Sequence, residues 1–258
     1  AAAGGGPRGF ASAAVANHPF GLSPAILLPN PAPSISSSSV ARIAALSATQ
    51  IPGTPPGRGG HGAHPYQTVD VVLVAAHLIT AVQSVVSRNV RAIDSAVISL
   101  CAVQAGDLGA FSVLPGSATL VGTVRTFDHE VQALVERRLH ELCSAVGMAF
   151  GATVALDYQR IYPATINTES EALFAGDVAE SLVGADHVVR DLEPSMGAED
   201  FSFMLQTKPG AYLRIGQGTG SSGSALHNSR YDFNDDILPL GSALHASLIE
   251  QAMPLPTP

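Results

Sequence analysis

The chain has 258 residues, of which 46% are hydrophobic and 13% charged, and its formal charge is −8 at neutral pH. That is length for one large domain or two ordinary ones, and the charged share is about half the usual roughly 25%. An acidic balance of this kind argues against a phosphate-binding surface, so no nucleic-acid partner is expected, and without a run of about 18 uninterrupted apolar residues no membrane partner is expected either.

Residues 1–56 stand apart. "PNPAPSISSSSVARIAALSATQIPGTPPG" is rich in Pro, Ser and Ala, with almost no charge and no sustained period, and reads as a low-complexity segment without regular structure. The opening "AAAGGGPRGFASAAVA" has one arginine but no leucine-rich core, which argues against a signal peptide. Cys101 and Cys143 both sit inside apolar patterns and read as buried small hydrophobes, so a reducing, cytoplasmic location is expected.

From Gly57 the pattern becomes regular. "GRGGHGAHP" is a glycine loop, and "TVDVVLVAAHLITAVQSVVS" places Val71, Ala75, Leu78, Val82 and Val85 at helical spacing. "SAVISLCAVQAG" and "SATLVGTVRTF" read as strands. Asp128 suits the N-cap of a helix whose face carries Val131, Leu134, Val135, Leu139, Leu142 and Val146, and "ATVALDYQRIYP" is a third strand. Helix, strand, strand, helix, strand is a split β-α-β motif lacking its first strand, and "IPGTPPG" just before Gly57 opposes one there. Further on, Thr168 and Glu171 form a capping box for a helix ending near Gly184. "SMGAEDFSFML" is a loop entering a short helix, "GAYLRIGQG" a strand, "LHNSRYDFNDD" a loop and "LPLGSALHASLIEQAM" a final amphipathic helix. The fold class expected is α/β: a partial α/β layer with a split β-α-β domain before it.

Several residues carry candidate chemistry. His61 and His64 form an H-x-x-H pair in the glycine loop, able to bind a metal, to face a ligand, or to serve as ordinary loop polarity. Arg125 on its strand is either part of a solvated face or a rigidly held guanidinium for gripping a carboxylate. Glu199 and Asp200 suit a helix N-terminus, or support of a metal or base. His227, in "SALHNSRYDFND", is a metal-ligand candidate that alone is weak. "GTGSSG" at 218–223 matches G-x-G-x-x-G, but no helical period follows, so it reads as a flexible loop. No G-x-S-x-G elbow and no C-x-x-C pair occurs.

Taken together and in order, "GRGGHGAHP", "GTVRTFD", "YPATIN", "MGAEDFSFM" and "LHNSRYDFND" resemble the di-metal amidohydrolases. That family includes hippurate hydrolases, N-acyl-amino-acid amidohydrolases and auxin-conjugate hydrolases, within the aminoacylase and carboxypeptidase metallopeptidases. The resemblance covers about residues 57 to 253 and implies a catalytic α/β domain binding two zinc or manganese ions. It also implies an inserted lid, a four-stranded sheet with two helices that makes a homodimer. Residues 57–165 would then be the lid, 166–258 the C-terminal part of the catalytic domain, and 1–56 a family-atypical segment.

By the same resemblance, His61 matches the lid histidine that polarises the scissile carbonyl, usually in the partner subunit's active site. Arg125 matches the arginine that binds the carboxylate of the small N-acyl amino acid substrate. His227 matches the last metal ligand, and Glu199 supports the site. Where the family carries a lid asparagine, "FSVLP" offers Ser112, a shorter donor for substrate. The family's N-terminal metal motifs, a cysteine–glycine–histidine–aspartate run and paired glutamates, have no match here, and "HPFGLSPAILLP" has Ser23 where a histidine is expected. The chain therefore reads as a truncated or aberrantly translated amidohydrolase with little activity of its own. Its strands should leave a sheet edge and core face open. The alternative is a non-catalytic dimerisation or binding module derived from the lid.

Overall fold

A computed structural model describes residues 12–16, 26–29, 33–35, 37–47, 59–218 and 228–255. In chain order the regular elements are β1 (Ser12–Ala16), β2 (Ile26–Pro29), β3 (Pro33–Ile35), β4 (Ser37–Ser47), β5 (Gly60–His61), α1 (Val71–Asn89), β6 (Ala96–Ala105) and β7 (Val113–Leu114). There follow β8 (Ser117–Thr126), α2 (His129–Phe150), β9 (Ala152–Tyr162), β10 (Thr165–Ile166), α3 (Glu169–Val183), β11 (Val188–Leu192), α4 (Phe201–Leu205), β12 (Tyr212–Gly216) and α5 (Leu238–Ala252). They divide into two compact units, Ser36–Pro163 and the pair Ala1–Ile35 with Ala164–Pro258.

In the unit Ser36–Pro163, α1 begins where the Asp70 carboxylate accepts the N–H groups of Val72 and Leu73 at 3.0 and 3.1 Å. The expected cap of α2 forms the same way, Asp128 accepting from Glu130 and Val131. One stripe of α1, from Val71 and Val74 through Leu78 to Val82 and Val85, is fully buried. By length and composition alone α1 would cross a membrane, with a mean hydropathy of 1.6 that His77, Thr80 and Gln83 conceal from a count of unbroken apolar residues. Its buried stripe instead packs, with Leu139 and Cys143 of α2, on Ile43, Leu120 and Val124 of the sheet.

That sheet runs β6-β8-β4-β9, antiparallel throughout, so β4-α1-β6-β8-α2-β9 is a complete β-α-β-β-α-β unit. The first strand, which the sequence seemed to lack, is β4, with three residues between its end and "IPGTPPG". Residues 1–56 thus carry four strands where none was expected. The pattern was hidden by chemistry: Ser37, Ser39, Ala41 and Ile43 form the inward face, and two of these are hydroxyls. Gln132 of α2, itself buried, donates to the Ser37 and Ser39 hydroxyls at 3.2 and 3.1 Å, and Ser37 donates to the Thr126 carbonyl at 3.0 Å. Satisfied hydroxyls behave as small core residues.

Only one cysteine is where it was expected. Cys143 is buried, and burial pushes its thiol up to about 11. Cys101 is exposed, because the register of β6 shifts between Leu100 and Ala102 and turns it out of the alternation.

The other unit holds a mixed sheet, β1-β12-β2-β11, with β1 parallel to β12, β12 antiparallel to β2, and β2 parallel to β11. Strand β12 is therefore interior rather than an open edge, since residues of the N-terminal segment pair with it on both sides. Ile26, Leu213 and Ile215 pack against Ala175 and Val178 of α3 and Leu244 and Leu248 of α5. The sequence did not mark β11, whose "VVRDL" is short and carries two charges. Arg190 in it ties back to α3 through Glu180 at 2.6 Å and Asp177 at 2.7 Å. Thr168 is the N-cap residue of α3 but makes no capping bond; its hydroxyl accepts the Gly210 N–H at 3.2 Å instead.

Replacing Gln132 by alanine removes the donor shared by the two β4 serines. The expected loss is about 1–3 kcal/mol of unfolding free energy, read from urea denaturation; an unchanged midpoint would show that these hydroxyls need no partner from α2.

Candidate functional site

The glycine loop forms the short strand β5, which pairs with β7 so that Gly60 lies opposite Leu114 and His61 opposite Val113. The Gly62 N–H donates to the Ser112 carbonyl at 2.7 Å. Residues 61–62 and 112–113, far apart in sequence, are thereby paired through their backbones. The glycines are a packing requirement. A Cβ on Gly59 would stand 2.2 Å from the Leu114 carbonyl oxygen, and one on Gly60 2.6 Å from the Thr68 methyl. Past His61 the chain turns tightly, with the His64 N–H donating to the His61 carbonyl at 2.8 Å and the Thr68 N–H to the Pro65 carbonyl at 3.2 Å.

His61 is exposed, and its Nδ1 accepts the Ala63 N–H at 3.0 Å. The His64 ring lies 5.4 Å from the His61 ring, and Tyr66 meets His64 edge-on at 5.9 Å. Leu108 and Phe111, on the loop leading to Ser112, are almost wholly exposed. The loop thus presents an imidazole, a serine and apolar side chains on a braced backbone.

Arg125 lies elsewhere in the same unit. Strand β8 starts at Ser117, just after β7, and Arg125 is eight residues along it. At roughly 3.3 Å per residue that is roughly 26 Å. The residue is half-buried, and its Nη1 is buried with no hydrogen-bond partner among the described residues. A buried donor without a partner is costly, which makes this guanidinium receptive to a carboxylate.

In the other unit, Asp200 holds the N-cap position of α4 without a side-chain capping bond. With only five residues, α4 has little dipole for an acid to complement. Glu199 has a partner that the sequence did not reveal. The buried Tyr212 phenol is pushed well up, first by burial and then by the Glu199 carboxylate that it faces, so it stays a donor toward Glu199. Tyr212 stands in the strand "GAYLRIGQG" and was not singled out by the sequence. His227 and residues 219–223 of "GTGSSG" lie outside the described residues.

The profile of Peptidase family M20/M25/M40 matches residues 59–251. The chain belongs to this family. Hippurate hydrolase of Campylobacter jejuni is 35% identical over 192 residues, 74% of this chain and 49% of the relative. IAA-amino acid hydrolase ILR1-like 4 of Arabidopsis thaliana is 32% identical over 198 residues, again 74% of this chain and 44% of the relative. The chain spans about half the length of the curated relatives it matches. Among solved structures, the YXEP protein of Bacillus subtilis, described as a dinuclear metal binding peptidase from the M20 family, superposes with a TM-score of 0.62 at 22% identity. That match covers 92% of this chain and 56% of the other.

For an M20/M25/M40 member the metal site is the natural question. Among the described residues, no three His, Cys, Asp or Glu side chains converge to hold an ion. These residues do not fit a metal centre. A groove of about 410 Å³ between the end of α1 and the start of α2 is lined by Asn89, Arg91, Asp94, Asp128 and Glu130, and contains none of the candidate residues.

Gly59→Ala should break the β5–β7 pair while sparing the main core. The expected result is amide exchange at Gly62 faster by about fivefold, as for loss of roughly 1 kcal/mol of hydrogen bonding, with helix amides of α1 unchanged. Unaltered exchange at Gly62 would mean that the pair tolerates the methyl group.

Proposed function

We propose that the chain carries the lid and the C-terminal part of a metal-dependent amidohydrolase that cleaves the amide bond of N-acyl amino acids, and that alone it hydrolyses little or nothing. The observation that carries this reading is the β5–β7 pair, which fixes the backbone of His61 opposite Val113, next to Ser112, on a glycine-braced loop. In it, the unit Ser36–Pro163 is the lid, extended upstream of the expected residue 57 by β4, and residues from about 166 onward belong to the catalytic domain. His61 donates to the amide carbonyl oxygen, where negative charge develops during attack. The Ser112 hydroxyl is a second donor, and Arg125 grips the free carboxylate, a role supported by its Nη1 having no partner among the described residues.

Because His61 and Arg125 stand at opposite ends of β8, one copy does not bring both to the same small substrate. The reading therefore takes a homodimer in which His61 of one copy serves a substrate gripped by Arg125 of the other. The hippurate hydrolase relative supports an N-acyl amino acid as substrate, and the dinuclear metal binding YXEP protein supports a bound metal; the reading takes this to be zinc or manganese, with His227 as a ligand. Two free cysteines, one of them exposed, suit a reducing compartment such as the cytoplasm.

A second reading, a non-catalytic dimerisation module, is favoured by the completeness of the β-α-β-β-α-β unit. Purified chain supplied with zinc or manganese should release no glycine from hippurate above the blank, and light scattering should give a dimer mass. Efficient metal-dependent hydrolysis would overturn the proposed impairment, and a monomer at high concentration would overturn the dimer. Hippurate binding that weakens at least tenfold in Arg125→Ala, about 1.4 kcal/mol, supports the first reading; a dimer with no hippurate binding supports the second.

A further inference from the structure

We infer that the backbone N–H of Ala63 fixes the tautomer of His61, so that the neutral imidazole presents an N–H rather than a lone pair at its outward Nε2. A neutral imidazole carries one N–H and one acceptor nitrogen, and the bond made by one nitrogen decides the state of the other. Here Nδ1 accepts the Ala63 N–H at 3.0 Å, so the proton resides on Nε2. The donor is held on both sides. The preceding amide, Gly62, is bonded to the Ser112 carbonyl at 2.7 Å, and the following one, His64, to the His61 carbonyl at 2.8 Å. Gly60 packs against Thr68 with no room for a Cβ, which anchors the strand that leads into the turn.

This decides between two chemistries open to the H-x-x-H pair. A metal ligand must offer a nitrogen lone pair. In His61 the Nδ1 lone pair is occupied and Nε2 is protonated, so the ring is a donor for an oxygen acceptor and not half of a metal pair. His64, with its ring 5.4 Å away, packs beside it. The inference deepens the proposed contact between His61 and the amide carbonyl, and its functional meaning rests on that reading. The tautomer itself is a property of the free chain. Ala63 acts through His61 and is a positioning residue.

The test is nitrogen NMR on the ¹⁵N-labelled full chain at about pH 8, above the ordinary histidine range. The expected result is the Nε2–H pattern alone, with a nitrogen–nitrogen coupling across the hydrogen bond from Ala63 N to His61 Nδ1. Ala63→Gly keeps the N–H and should keep this signature. Ala63→Pro deletes it and should move His61 toward the mixed tautomers of a free histidine. A Nδ1–H pattern in the unaltered chain overturns the inference, as does an unchanged signature in Ala63→Pro with the Gly62 amide still protected. If the proline variant does not fold, the coupling in the unaltered chain decides, its presence supporting and its absence overturning the inference. Hippurate separates the two levels. A Nε2–H tautomer whose signals ignore hippurate supports the inference and counts against the carbonyl contact of the proposed function.

Discussion

The whole Ser36–Pro163 unit depends on one strand being accepted into the middle of a sheet. Strand β4 pairs with β8 from Ser37 opposite Thr126 to Leu46 opposite Ser117, and with β9 along its other side. Without it β9 would have no neighbour, and α2, which packs on β9, would lose the surface beneath it. The strand has little apolar area to offer, since its inward face is Ser37, Ser39, Ala41 and Ile43. Ile43 supplies the burial, and Gln132 makes the two hydroxyls tolerable by hydrogen bonding to both. One buried amide therefore joins helix α2 to the strand that completes the fold.

A second constraint, close approach of backbones, shapes the candidate site. Strand β5 lies so near β7 and Thr68 that no side chain fits at Gly59 or Gly60. That closeness aligns the Gly62 and His64 amides with their carbonyl partners and sets Ala63 N–H against His61. The geometry of an exposed histidine is thus decided by residues that have no side chain. Arg125 is placed by the same sheet through a different mechanism, the length of β8, which carries it away from His61 and leaves its Nη1 without a partner among the described residues.

The companion unit shows a related division. Its core of Ile26, Leu213, Ile215 and the inner faces of α3 and α5 is ordinary apolar packing. Against it stands a buried phenol, Tyr212, pushed up first by burial and then by the Glu199 carboxylate of the "MGAEDF" loop. A tyrosine in an alternating apolar strand gives no sign in sequence of where its hydroxyl will end.

The sequence by itself determined the elements whose period or caps are strong: α1, α2 with its Asp128 cap, β8, β9, β12 and α5. It also determined the motifs, from "GRGGHGAHP" to "LHNSRYDFND", by which the chain resembles the amidohydrolases, because residue type and order are all that such a resemblance needs. The tertiary structure decided the rest. It found the missing strand in a serine run, since hydroxyls count as polar until a buried glutamine pairs with them. It turned Cys101 outward at a register shift that no alternation rule foresees. It paired residues 61–62 with 112–113 through their backbones and kept Arg125 apart from both, because neighbours across a sheet are fixed by strand pairing and not by distance along the chain.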